Sequence, residues 1–242
     1  MIDEHFNYKT IDGSNSDDPI LKSIYRLRYQ VYVNEWGFEK PEDHHPDGLE
    51  MDEYDGHSRH IYACSRNSDE VIGTARIILG SELPFPIERH FDVSAFPVGD
   101  RRIQSAEISR LAISKDFRRR AIDRTIFGED DSALEELARN PVDTKAIKQE
   151  RRKCEHELIL GIYLLIYRES IKLGLTHWYA VMTRGLYLIL GRWGIPFKRI
   201  GPQQEYHGLR APYALSIRDL EMHLEKKNPD LIALARQEVA YS

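Results

Sequence analysis

The sequence AEISRLAISKDFRRR, residues 106–120, decides the fold that we predict for this chain. Its first half carries the apolar, β-favouring side chains of a buried strand, and we expect a strand over residues 104–113. Glu107 and Arg110 interrupt that strand, and an arginine run at 118–120 follows it. A carboxylate and a guanidinium inside a sheet are costly unless they pair, form hydrogen bonds or react. This strand therefore indicates more than a packing role.

Both charged features also have a structural interpretation. Glu107 and Arg110 could form a buried ion pair with each other. The arginines could lie on a solvated loop, where charge runs are usually found. The strand alone leaves these alternatives open, so the rest of the chain has to decide between them.

The overall composition excludes several classes of protein. The chain has 242 residues, of which 41% are hydrophobic and 30% charged. These values fit one large or two small soluble domains. Because the net charge is −5, a nucleic-acid partner is not expected.

The sequence also lacks targeting and metal-binding signals. Cys64 and Cys154 have no metal-ligand spacing and His44-His45 has no further ligand nearby, so we expect no metal site. The N-terminal sequence MIDEHFNYKT is polar and acidic, unlike a signal peptide. The apolar run at 158–167 is too short to span a bilayer and predicts a buried helix. We therefore expect a cytoplasmic protein without a transmembrane segment.

Hydrophobic periodicity predicts one α/β domain with a mixed sheet over residues 1–218, a hydrophilic insertion at about 121–149, and a helical tail at 219–242. Asp18 and Pro19 mark the start of the first helix. The predicted strands are 6–11, 60–64, 71–79, 104–113, 178–182, 196–200 and 213–217. The later predicted helices are 84–91, 150–172 and 183–193, followed by one or two tail helices over 219–240.

Two arginines in these elements need particular surroundings. On the first helix, Tyr25, Arg28 and Tyr32 form a stripe beside the core positions, and their spacing by itself favours the surface over a cleft. Arg76 lies in a predicted strand and shares a face with Ile78. It is therefore a partly buried cation that requires an acidic partner.

Six separated pieces of the sequence together resemble one enzyme family. They are Arg28, Tyr32, Gly37-Phe38, GLEMDEYDG at 48–56, Arg76 and EISRL at 107–111. Their order and spacing resemble the acyl-homoserine-lactone synthases of the GNAT acyltransferase superfamily. The pattern of that family is an Arg and an aromatic residue, then Gly-Trp, E-x-D-x-[FY]-D, an Arg and E-x-S-R-F. The match spans about residues 20–115 and, more loosely, 158–195.

The chain departs from this pattern in several places. Tyr32, Phe38 and Leu111 stand where the pattern has Phe, Trp and Phe. The sequence EYHGLRAPYAL at 205–215 and the insertion look more like a sister group. That group comprises the N-acyl amino acid synthases and the acyltransferases associated with exosortase (PEP-CTERM) systems. The resemblance thus supports the fold and the class of acyl donor more strongly than homoserine-lactone synthesis from S-adenosylmethionine.

The resemblance implies a GNAT fold and direct attack of an amine on an acyl thioester. The implied co-substrate is acyl carrier protein or acyl-CoA, with no permanently bound cofactor, and the acceptor is a small-molecule amine such as an amino acid. Arg-Arg-Arg-Ala-Ile-Asp at 118–123 replaces the glycine-rich turn of acetyl-CoA enzymes, which favours acyl carrier protein as the partner. A CoA-dependent small-acyl acetyltransferase and a non-catalytic acyl-carrier-binding module are the alternatives.

The resemblance also implies roles for individual residues. The catalytic set is Glu107, acting as a base through water, with Ser109 and Arg110. The donor side is formed by backbone N–H groups from Leu111 to Ile113, which bind the oxyanion and pantetheine, and by Arg118, Arg119 and Arg120, which bind the phosphate. The substrate-side cluster is Arg28, Tyr32, Phe38, Asp52, Asp55 and Arg76. The pocket for a long, unoxidised acyl chain is lined by Tyr163, Trp178, Ala180 and Met182.

Overall fold

The computed structural model describes residues 6–44, 46–66, 70–115 and 146–237, with side chains from 157 to 236 in the last range. The strands are β1 (Phe6–Asp12), β2 (Ser58–Ser65), β3 (Val71–Leu79), β4 (Ser105–Ile113), β5 (His177–Met182), β6 (Lys198–Arg199), β7 (Gln204–Glu205) and β8 (Leu209–Ser216). The helices are α1 (Pro19–Tyr29), α2 (Pro86–His90), α3 (Ala146–Lys172), α4 (Arg184–Arg192), α5 (Ile217–Lys227) and α6 (Pro229–Gln237).

The strands form one mixed sheet in the order β1-β2-β3-β4-β5-β8-β6, with β7 paired to β8. β4 and β5 are parallel, and the other pairs in the described residues are antiparallel. Two parallel strands must be joined by a long crossover connection, whereas antiparallel neighbours such as β1 to β4 can be joined directly in chain order. The long helix α3 lies in the chain between β4 and β5 and belongs to this crossover. The predicted mixed sheet is present.

Helix α1 begins where the sequence predicts. The Asp18 carboxylate accepts a hydrogen bond of 2.8 Å from the backbone N–H of Ile20, and Pro19 occupies the first turn. This side chain satisfies one of the N–H groups that every helix start leaves without a partner. After Tyr29 the helix continues as a π-helical segment, Gln30–Glu35.

Both faces of the sheet are covered by helices that share its core. On α3, Leu158, Ile162 and Ile166 are buried as predicted, whereas Leu165 is only half-buried. The C-terminal helices also belong to this core, through buried Leu220, Leu224, Leu231, Ile232 and Ala235. In the described residues, no helix combines the length and hydrophobicity needed to cross a membrane.

Two predicted boundaries are wrong. α3 begins at Ala146 rather than at residue 150, so it includes the last residues assigned to the insertion. Residues 121–145 of that insertion lie outside the described part of the chain. The strand predicted at 196–200 is reduced to two residues, Lys198–Arg199, because only these pair with β8.

The pairing of β4 with β3 contains one irregularity, and it lies next to the candidate site. Between Thr74 and Arg76 of β3, the register on β4 moves from Ala112 to Ser109, so β4 holds one extra residue there. Arg110 adopts a positive φ of 53° within this bulge, a conformation that costs energy for a residue other than glycine. β4 pairs with β5 only from Ser105 to Ile108. Beyond that point the two parallel strands part, and a gap opens in the sheet.

Candidate active site

A cavity of about 300 Å³ occupies the gap between β4 and β5. Glu107 and Ile108 are neighbours on β4 and both line the cavity. Because neighbouring side chains of a strand point to opposite faces, the cavity reaches both faces of the sheet. Its polar part is lined by Glu39, Asp52, Glu53, Tyr54, Arg76, Arg89, His90, Glu107, Ser109, Arg110, Tyr206, His207 and Arg210. Its apolar and aromatic part is lined by Tyr32, Phe38, Pro86, Phe91, Ile108, Leu111, Tyr163, Ala180, Val181, Met182 and Leu186.

Glu107 is a buried carboxyl group in the wall of this cavity. The residue is only 3% exposed, and its Oε2 accepts a hydrogen bond of 2.8 Å from the backbone N–H of Ile87. Burial disfavours the charged form of Glu107 and raises its pKa to about 8. The Ile87 hydrogen bond and the nearby Arg76 and Arg110 favour the charged form, but their combined effect is smaller. A carboxyl group that titrates near neutral pH in a cavity is suited to accept a proton from a substrate.

Arg28 and Arg76 share a buried carboxylate. Arg28 donates to both oxygens of Asp55 at 2.6 and 3.1 Å and also to Glu50. Arg76 donates to Asp55 at 2.8 Å and, from both terminal nitrogens, to Asp52 at 2.5 and 2.9 Å. Burial opposes ionisation of Asp55, but Arg28 and Arg76 outweigh it and hold the pKa of Asp55 far below its usual range. These charges therefore remain paired inside the protein.

Arg110 extends this network but does not pair with Glu107. Its guanidinium donates to Glu50 at 2.9 Å, to Glu39 at 3.2 Å and to Asp52 at 3.4 Å. Burial opposes ionisation of Glu50, but Arg110 and Arg28 prevail and lower the pKa of Glu50 to about 2. The structural alternative of a Glu107–Arg110 ion pair is therefore wrong. The two side chains, three residues apart on β4, have separate partners.

With this geometry established, comparison with known proteins assigns the fold. Residues 27–127 match the model of the acetyltransferase (GNAT) domain. The chain contains a GNAT domain. No curated protein sequence matches the chain significantly.

Solved structures similar to this chain include several acyl-homoserine-lactone synthases. LasI is 17% identical, with 88% of this chain and 90% of that chain covered and a TM-score of 0.59. BjaI, a CoA-dependent enzyme solved with SAM and isopentyl-CoA, is 17% identical, with 91% and 89% covered and a TM-score of 0.62. FeeM, an N-acyl amino acid synthase from uncultured soil microbes, is 9% identical, with 90% and 94% covered and a TM-score of 0.53. At these identities the likeness shows the fold, and it confirms the predicted GNAT architecture.

The stripe on α1 is not at the surface, contrary to the expectation from its spacing. Tyr25 and Arg28 are fully buried, and Tyr32 is half-buried. The Tyr32 hydroxyl donates a hydrogen bond of 2.7 Å to the carbonyl of Leu111, and the Arg110 guanidinium lies 5.6 Å from the Tyr32 ring centroid. Helical spacing could not reveal this arrangement, because the acids that neutralise Arg28 come from a distant loop.

The predicted catalytic and substrate-side residues divide into two layers. The cavity wall contains Glu107, Ser109, Arg110, Tyr32, Phe38, Asp52 and Arg76. Arg28 and Asp55 lie behind this wall. Asp55 contacts the wall residues Arg76 and Asp52, and Arg28 binds Glu50. Ser109 accepts a hydrogen bond of 3.1 Å from Arg76 Nε, so it contacts the charged network directly.

Only part of the predicted donor side lies at the cavity. Leu111 lines it, whereas the side chain of Ile113 is buried in the core and does not. Arg118, Arg119 and Arg120 lie outside the described residues.

The predicted acyl-chain pocket requires one correction. Tyr163, Ala180 and Met182 line the cavity, joined by Leu186. Trp178 does not line it. The indole donates a hydrogen bond of 2.8 Å to the hydroxyl of Ser170 and lies in the core, because β4 and β5 are still paired at the level of Trp178.

The loop before β8 and the start of β8 contribute cavity residues that the sequence prediction did not assign. His207 Nδ1 donates to the Phe38 carbonyl at 2.7 Å, Arg210 stacks over the Phe38 ring at 5.2 Å, and the Tyr206 ring lies 4.7 Å from that of His90. The sequence EYHGLRAP marked this loop but gave no indication of its partners. Glu50 was likewise inside the quoted GLEMDEYDG segment without an assigned role.

The part of the chain that the structure describes contains no group of three His, Cys, Asp or Glu side chains placed to hold a metal ion. The Nε2 atom of His44 lies 2.9 Å from a carboxylate oxygen of Glu39.

Proposed function

We propose that this protein is an N-acyltransferase that moves a long-chain acyl group from a thioester to the amine of an amino acid or a related small molecule. The observation that carries the proposal is a single cavity with two chemical halves. A carboxyl group with a pKa of about 8 lies at the polar half, and apolar side chains from α3, β5 and α4 line the other half.

The proposed reaction needs few protein groups. The Glu107 carboxylate takes a proton from the acceptor ammonium group through a water molecule, and the free amine attacks the thioester carbonyl carbon. The tetrahedral intermediate expels the thiolate, which is then protonated, and the C–S bond is replaced by an amide C–N bond. Backbone N–H groups near the bulge at Arg110 and Leu111 are the proposed donors to the oxyanion.

Apolar lining favours a long acyl chain over acetyl. Each methylene group buried against Ala180, Met182, Leu186 and the ring of Tyr163 contributes about 0.8 kcal/mol to binding, whereas an acetyl group has almost none to bury. The gap between β4 and β5 is the proposed entry of the chain into this apolar half, because the two strands no longer pair there.

The structural relatives support the reaction class but not the individual substrates. The likeness to homoserine-lactone synthases and to an N-acyl amino acid synthase agrees with acyl transfer to an amine. BjaI uses CoA. We propose acyl carrier protein as the donor of this enzyme on the basis of residues 118–120, where three arginines replace a glycine-rich turn.

A substrate panel tests this proposal. Purified protein is incubated with acyl carrier protein or CoA thioesters from two to sixteen carbons and with a mixture of amino acids. Thiol release is followed, and products are identified by mass spectrometry. Amides carrying long chains are expected. Preference for acetyl-CoA would indicate the small-acyl acetyltransferase instead, and acyl-carrier binding without turnover would indicate a non-catalytic module.

A further inference from the structure

Arg210 is a cation in the cavity wall that is held in place by backbone atoms. Its Nε donates to the carbonyls of Tyr206 and His207 at 3.0 and 3.1 Å, and its Nη2 donates to the His207 carbonyl at 2.8 Å. Its guanidinium plane lies over the ring of Phe38. Both hydrogens on Nη1 and one on Nη2 are left without a partner among the described residues.

The other arginines in the cavity wall have carboxylate partners. Arg76 pairs with Asp52, Arg89 with Glu53, and Arg110 with Glu50. In the described ranges, Arg210 has no Asp or Glu oxygen within 4.0 Å. Burial lowers the pKa of Arg210 from its ordinary value, which shows that the cation is removed from water without a full counter-charge.

We propose, on the basis of the function proposed above, that Arg210 binds the carboxylate of the acceptor, so the acceptor is an α-amino acid. The free N–H groups of a planar guanidinium match the two oxygens of a carboxylate. Binding would supply the anion that the protein itself does not. The amine on the adjacent carbon would then be directed towards Glu107 in the same cavity.

Tyr206 provides a geometric check on this arrangement. Its phenol lines the cavity. Burial raises the pKa of Tyr206. The proposed base, Glu107, and the proposed carboxylate-binding residue, Arg210, line the same cavity as this ring. This is compatible with a small amino acid that contacts both.

The test compares each amino acid that the enzyme acylates with its carboxamide, which keeps the amine and side chain but has no negative charge. The wild type should prefer the carboxylate in kcat/KM by roughly 10- to 100-fold, the effect of a hydrogen-bonded charge pair. Arg210→Met should reduce this preference to near one. In the variant, the KM of the thioester and the kcat/KM of the carboxamide should stay close to their wild-type values.

Arg199→Met is a matched control. Arg199 also donates to a backbone carbonyl, that of Gly201 at 2.8 Å, but it is exposed and does not line the cavity. This control should keep the wild-type preference. Equal use of carboxylate and carboxamide by the wild type would overturn the proposal. An equal loss of kcat/KM for the carboxylate and the carboxamide in Arg210→Met would also overturn it, because that result would indicate a structural role for Arg210.

A binding measurement separates this proposal from the proposed function. If no amine is acylated by the wild type, the function proposed above is wrong, whatever the role of Arg210. Calorimetric titration of the same amino acids and carboxamides then decides the role of Arg210 without turnover. Carboxylate-dependent binding that Arg210→Met removes supports the subsite, and binding that is absent or independent of the carboxylate overturns it.

Discussion

Glu107→Gln should make the protein more stable and less active at the same time. The glutamine keeps a side-chain oxygen that can accept the Ile87 N–H, but it can neither ionise nor take a proton. Removal of a general base slows turnover by roughly 10²- to 10⁴-fold. The loss should therefore appear in kcat for long-chain acyl transfer, with little change in the KM of the thioester.

The stability gain follows from the pKa of the buried carboxyl group. In the unfolded chain Glu107 has a pKa of 4.5, and in the folded protein burial raises it to about 8. The folded state therefore keeps a proton that the unfolded state loses in this interval, so wild-type stability falls as pH rises between these values. Each pH unit costs about 1.4 kcal/mol, which accumulates to roughly 3 kcal/mol at pH 7.

The assay is denaturant unfolding of wild type and variant at several values between pH 5 and 8. The decisive quantity is the difference between the two unfolding free energies as a function of pH, because constant effects of the substitution cancel in its slope. We expect this difference to grow in favour of Glu107→Gln by about 1.4 kcal/mol per pH unit. A difference that is flat over this range would refute the reasoning, since Glu107 would then titrate in the folded protein as it does when unfolded.

Three further perturbations test other parts of the site. Asp55→Asn leaves Arg28 and Arg76 without their shared carboxylate and should cost about 3–5 kcal/mol in denaturant unfolding, whereas neutralising the exposed Asp17 should have no measurable effect. Ala180→Trp should fill the apolar half of the cavity and shift the preferred acyl chain to shorter lengths without abolishing transfer of short ones. An unchanged chain-length profile contradicts the proposed pocket. Charge reversal at 118–120 should raise the KM of the acyl donor, and the increase should shrink with added salt. A KM insensitive to both would assign these arginines to a solvated loop.

Most of the strands and helices are predictable from local sequence patterns. Local patterns were sufficient for this, because a capping Asp18 before Pro19, a largely apolar strand at 71–79 and an apolar stripe on α3 act through neighbours in the chain. The residues from Arg28 to the EISRL segment also resembled the pattern of the acyl-homoserine-lactone synthases, and that resemblance implied the GNAT fold. None of these charged residues shows its partner in the sequence.

The pairing of the charged groups, in contrast, depends on the three-dimensional fold. Arg28 is buried rather than exposed because Glu50 and Asp55, more than twenty residues away, fold over it. Arg110 pairs with Glu50, Glu39 and Asp52 instead of Glu107, since the bulge gives it a positive φ that no sequence pattern predicts.

The extent of the cavity likewise depends on how far β4 and β5 pair. Trp178 and Ala180 are equivalent in the alternation of β5, but only Ala180 lines the cavity. The two strands still pair at Trp178 and stop pairing after Ala180. Arg210 lines the same cavity from the start of β8, about a hundred residues further along the chain than β4. Contacts between such distant segments depend on how the whole sheet is assembled, and local sequence does not encode them.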